Sequence, residues 1–272
     1  MNGGKITDVK VLEALAQLAQ QRKAQAEKRH KLWEETKAFN EKLIAPLHRL
    51  MDSDERLREC KREIEAVHKT RKLPSQRPAL ELPQGMPRPP LSSTDSVQFI
   101  TPPYSWSDGS AGGTADKASG ELHVFGNNPG TNAEFTAVGF VYHPPTDGLM
   151  SVTAPFSYQY FVDTDAGTFG SANAWAYLYL QIMDISLPWP VGSNNTQFTV
   201  WPDAGVTWLG DHVDRNSGSA TLAVNQAVQK ANTYIISAEI DLSLYYSGGG
   251  GFASASGDVK AVVPWFGIVP PH

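Results

Sequence analysis

The stretch YIISAEIDLSLYY, residues 234–246, decides what kind of fold the C-terminal part of this chain adopts. Tyr234, Ile236, Ala238, Ile240, Leu242, Leu244 and Tyr246 alternate with Ser237, Glu239, Asp241 and Ser243. A period of two is what a strand with one face in a core requires, whereas a helix would scatter the same apolar residues around its circumference. The pattern recurs at 150–162, where Met150, Val152, Ala154, Phe156, Tyr158, Tyr160 and Val162 share a face opposite Ser151, Thr153, Ser157 and Gln159.

Further strands are expected at 121–125, 134–142, 174–185, 196–201, 205–209, 219–229 and 258–269. Turn signals at Thr146-Asp147-Gly148, Gly192–Asn195 and Gly248–Gly251 separate several of them. No helical period intervenes, so residues 104–272 read as an all-β antiparallel sandwich, jelly-roll-like in size and strand number. Pro264 is awkward in a central strand and marks an edge or a bulge in the last segment.

The N-terminal part is written differently. From Ile6 to about Lys72 there is one proline and no glycine, and Ala, Leu, Glu, Lys, Arg and Gln dominate, so propensity favours helix throughout. Leu43, Leu50, Leu57 and Ile64 repeat every seven residues, the spacing of an oligomerising coiled-coil seam. Pro46 is expected to kink the helix or make it restart, and Asp52 or Ser53 to cap a second one. Residues 1–72 therefore read as a helical segment, either a long kinked helix or a hairpin. It either joins copies into a homo-oligomer or docks on the head.

Between them, residues 73–103 hold eight prolines and read as a stiff linker. Charge divides along the same lines. Residues 1–72 carry 17 Lys+Arg against 12 Asp+Glu, a balance of +5, while residues 104–272 carry 4 against 14, or −10. An acidic head argues against nucleic acid as its partner, and the glutamates interleaved in the basic helix argue against it there. No stretch is long and apolar enough for a membrane helix, and the N-terminus lacks the pattern of a Sec signal. The location is left unknown, with a head composition that suits an extracellular or particle-associated protein. Cys60, the single cysteine, excludes an intrachain disulfide.

The chemistry-bearing motifs of hydrolases, phosphate loops and dinucleotide sites are absent, and no residue is assigned a catalytic role. Asp163 and Asp165, at a strand end before a glycine turn, have the spacing of the first half of a Ca²⁺ loop, though the same spacing is ordinary turn chemistry. The more informative feature is aromatic. In 174–182 Ala176, Leu178, Leu180 and Ile182 share one face, and Trp175, Tyr177 and Tyr179 the other. If the aliphatic face is the core, three aromatics stand in a row outside it, to be covered by a loop or subunit or to bind a ligand such as a sugar ring.

A helical stalk, a proline-rich spacer and a β head are similar in organisation to oligomeric adhesins, virion or tail-fibre heads and secreted binding modules. That analogy of architecture carries no residue over. The expected function is non-enzymatic attachment, with a head that recognises a glycan or a protein surface. A structural component of a virion-like or secretion-like assembly is one alternative, and a secreted toxin or effector with a surface-binding head is another.

Overall fold

The computed structural model describes residues 9–70, 80, 97–127, 132–167, 170–187, 193–201, 204–207, 210–247 and 253–271. Most of the proline-rich segment lies outside the described residues. Its last part belongs to the head, because Gln98–Ile100 is already a sheet strand. The head therefore begins inside the stretch assigned above to the linker.

Two helices precede it, α1 (Val9–Ser53) and α2 (Glu55–Thr70). At 1.5 Å per residue α1 is about 68 Å long. It runs through Pro46 and stops only at Ser53, whose hydroxyl donates to the Leu50 carbonyl. The cap of α2 is neither Asp52 nor Ser53 but Asp54, whose carboxylate accepts from the backbone N–H groups of Arg56 and Leu57. Lys61 reaches Asp52 at 3.1 Å across this break. Nine residues along a straight helix would set them about 13.5 Å apart on opposite sides, so the chain bends at Asp54. The heptad series is thereby interrupted between Leu50 and Leu57. Leu50 is exposed and Leu57 half-buried, while the side chains of Leu43 and Ile64 lie outside the described residues.

The head has thirteen strands among the described residues: β1 (Gln98–Ile100), β2 (Trp106–Gly109), β3 (Gly113–Asp116), β4 (Glu121–Gly126), β5 (Asn132–Tyr142), β6 (Gly148–Asp165), β7 (Ser171–Asp184), β8 (Ser193–Thr199), β9 (Val206–Thr207), β10 (Asp211–Val228), β11 (Tyr234–Ser247), β12 (Ser254–Val262) and β13 (Phe266–Val269). They form two antiparallel sheets. In the first, β6 pairs along its whole length with β10 and on its other side with β12 and β13, followed by β4 and β3 and by β1. The second runs β2-β5-β11-β7-β8, with β9 also on β7.

The core lies between the sheets. Leu122, Val124, Phe156, Leu178, Ile240 and Val259, among many others, are buried there. The alternations in β6 and β11 put the expected faces inward. The last segment is two strands rather than one, broken at Val263-Pro264-Trp265, and Tyr104 fastens the break by donating to the Val263 carbonyl at 2.8 Å. Gly120, with φ of 78°, turns the chain beside it, and a Cβ there would lie 2.3 Å from the Val263 oxygen. That position is closed to any side chain.

Candidate functional site on the outer face of the second sheet

The aromatic residues of β7 stand where the alternation puts them. Ala174, Ala176, Leu178, Leu180 and Ile182 are buried in the core, and Trp175, Tyr177 and Tyr179 are half-buried on the opposite, outer face. The row is held by neighbouring rings. Trp175 meets Tyr245 of β11 edge-on at 5.0 Å between centroids, and Tyr177 and Tyr179 lie 6.0 Å apart.

Beside the row runs the polar face of β11. By register Ser243 lies opposite Trp175, Asp241 between Phe135 of β5 and Tyr177, Glu239 between Ala137 and Tyr179, and Ser237 between Gly139 and Gln181. Alternation alone marks these four as solvent-facing, yet each is at most 3% exposed. Rings flank the strip on both sides, and α1 packs over part of this face. Ala14 of α1 packs with Trp106, Ala137, Met183 and Ile235 in a small cluster separate from the main core.

Two turns further along α1, Arg22 pairs with Glu239. Its guanidinium lies over the Phe135 ring at 5.3 Å and the Tyr179 ring at 5.8 Å. Ser237 donates its hydroxyl to the other oxygen of Glu239 at 2.5 Å. A narrow gap lined by Gln21, Gln25, Gln181 and Asn195 follows the seam between helix and sheet. Nothing in the local sequence around Arg22 or Glu239 signals their pairing, since the partners are more than 200 residues apart. The opposite charge of the two halves was the one available hint.

On the first sheet, Asp163 and Asp165 share the outer face at the end of β6. Asp165 accepts the backbone N–H of Gly167 at 2.8 Å, as an aspartate in a tight turn does. Among the described residues no three His, Cys, Asp or Glu side chains gather to hold a metal ion. His123 of β4 contacts Asp258 of β12 at 2.7 Å on the same outer face. Among the described residues no helix is long and apolar enough to cross a membrane.

No family model matches the chain, and no curated protein matches it. Among solved structures it is similar to TmCBM61 in complex with β-1,4-galactotriose, at 9% identity over 64% of this chain and 82% of that one, with a TM-score of 0.22. It is also similar to a chain in the structure of infectious bursal disease virus Gx strain, at 12% identity over 67% and 40%, with a TM-score of 0.23. The third, from the VP2 subviral particle of that virus, shows 11% identity over 69% and 42%, again at 0.23. The chain spans less than half of each viral chain. Scores this low transfer neither ligand nor assembly, and the β-sandwich stands on the strand pairing itself.

Proposed function

We propose that this chain is a non-enzymatic attachment protein whose β head recognises a glycan through the outer face of its second sheet. The observation that carries the reading is the row Trp175-Tyr177-Tyr179, half-buried and backed by a closed aliphatic core. Rings anchored this way present flat apolar faces at little entropic cost. The connections support a rigid scaffold for such a surface. β4, β12, β6 and β10 occupy one sheet and β5, β11, β7 and β8 the other, and all successive links but β7 to β8 cross between the sheets. We read this wiring as a jelly roll. Screening the full chain on a printed glycan array tests the function. Binding that is lost in Trp175→Ala and Tyr177→Ala supports it, and binding that survives both removes the row from recognition.

A second reading, assembly through the helical half into a larger structure, is favoured by a separate observation. Leu32, Phe39 and Leu50 are 57%, 63% and 57% exposed on α1. Steps of seven and eleven residues each bring a helix back to within about 20° of the same side, so the three form one apolar stripe. A homo-oligomer seam would bury it. Light scattering on the full chain and on a Leu32→Glu, Phe39→Glu double variant separates the cases, because an oligomer through this stripe becomes a monomer when the stripe is charged.

A further inference from the structure

Arg22 is 8% exposed and Glu239 fully buried, so neither charge in this pair is solvated in the ordinary way. The geometry around them suits one chemical group. A guanidinium is planar, weakly hydrated and stacks on rings while pairing with a carboxylate, whereas an ammonium is a strongly hydrated point charge without a flat face. Phe135 and Tyr179 supply the rings, Glu239 the carboxylate, and Ser237 fixes that carboxylate from its far side.

We propose that Phe135, Tyr179 and Glu239 form a guanidinium socket, and that Arg22 seated in it makes α1 a releasable strap over the Tyr179 end of the aromatic row. Docking of α1 and occupation of that end of the row then exclude one another. The second part rests on the reading of the row as a ligand platform, while the socket itself does not.

Release is chemically easy on this face. Lifting α1 returns Ser237 and Glu239 to water, which both accept, and leaves the main core between the sheets closed. The apolar surface uncovered is a small patch around Ala14, Trp106, Ala137, Met183 and Ile235. Closure is favoured by the charge balance, since a segment of +5 meets a head of −10. A strap needs both properties, a specific latch and an underside that tolerates solvent. The occupant we assign is Arg22 of the same chain.

Hydrogen exchange on the full chain tests the socket without any ligand. In Arg22→Ala, amides of residues 14–25 are expected to exchange at least tenfold faster while those of β11, paired with β5 and β7 on its two sides, stay protected, and Arg22→Lys is expected to fall between Arg22→Ala and the native chain. Unchanged exchange in Arg22→Ala with the head intact overturns the socket. Light scattering of the same variant identifies the occupant, because a drop in oligomer size together with lost protection means that Arg22 came from a second copy and overturns the intramolecular strap. On the glycan array, Arg22→Ala is expected to retain more signal than the native chain. Equal signal from both overturns the exclusion while leaving the socket standing, and no signal from any variant refutes the platform alone.

Discussion

Trp201 donates its indole hydrogen to the backbone carbonyl of Ala174 at 2.8 Å, from a turn that follows β8 into the middle of the core. The ring is 1% exposed and packs on Tyr160 of the facing sheet at 5.4 Å. Ala174 directly precedes Trp175, so this one side chain holds from below the strand that carries the aromatic row above. Trp201→Ala is expected to cost about 3–5 kcal/mol through the cavity left behind. Trp201→Phe fills most of the volume and loses the donor, so the expected cost is about 1–3 kcal/mol for a buried carbonyl left without it. Urea unfolding of the three proteins orders them, and a Phe variant as damaged as the Ala variant would mean that the hydrogen bond, not the volume, dominates.

Two buried phenols make stability depend on alkaline pH. Tyr104 donates to the Val263 carbonyl, and Tyr160 donates to Asp214 of β10 at 2.6 Å. Burial pushes both hydroxyls well above the ordinary tyrosine range, and the charge of Asp214 adds to the effect at Tyr160. The folded state thus holds its protons where the unfolded chain, with tyrosines near pH 10, releases them. The contribution is complete below about pH 10 and is lost as pH rises above it. Denaturation midpoints are therefore expected to fall as pH rises above about 10, and to fall less steeply in Tyr104→Phe and Tyr160→Phe. Phenolate absorbance from all nine tyrosines of the native protein near pH 10 would contradict this.

Where a strand has a core on one side and water on the other, the sequence declares it. β6, β7 and β11 follow their alternation almost to the ends. β10 was legible only from Ser219 onward, because Asp211–Gly218 runs along an outer edge of the sandwich and has no buried face to write a pattern. The short strands β1, β2 and β3 pair at sheet margins over three or four residues, too few for a period to appear. The aromatic row was legible as a row. Its partial cover by α1 was not, because a polar strip buried under a polar helix carries the same alternation as a strip open to water.

The helix break makes a local test of capping. Asp54 accepts from the N–H groups of Arg56 and Leu57, two donors that α2 cannot satisfy internally. Asp54→Ala is expected to cost about 1 kcal/mol of local stability, and Asp54→Gly only a few tenths. Because α2 is only 16 residues long, close to the length at which an isolated helix is marginal, the loss shows as reduced helical signal in far-ultraviolet circular dichroism and as earlier proteolytic cutting near Arg56 and Arg58. A head that keeps its own unfolding midpoint in Asp54→Ala would place the effect in the helices.

The two faces of β7 separate stability from recognition. Leu178 is fully buried, and Leu178→Ala is expected to cost about 2–5 kcal/mol because the space it fills lies between two sheets that move little. Tyr177 is its neighbour on the outer face, half-buried against Tyr179, and Tyr177→Ala is expected to cost about 1 kcal/mol, the worth of a ring contact with partial burial. Glycan binding should respond in the opposite order. Leu178→Ala lowers the unfolding midpoint and, at temperatures where the variant is folded, leaves affinity within about twofold; Tyr177→Ala barely moves the midpoint and lowers affinity by about tenfold, in line with loss of one stacked ring at 1–1.5 kcal/mol. Calorimetric titration below the midpoint of each variant keeps folding and binding apart. If both variants lose affinity in proportion to their lost stability, the row holds the sandwich together and recognises nothing.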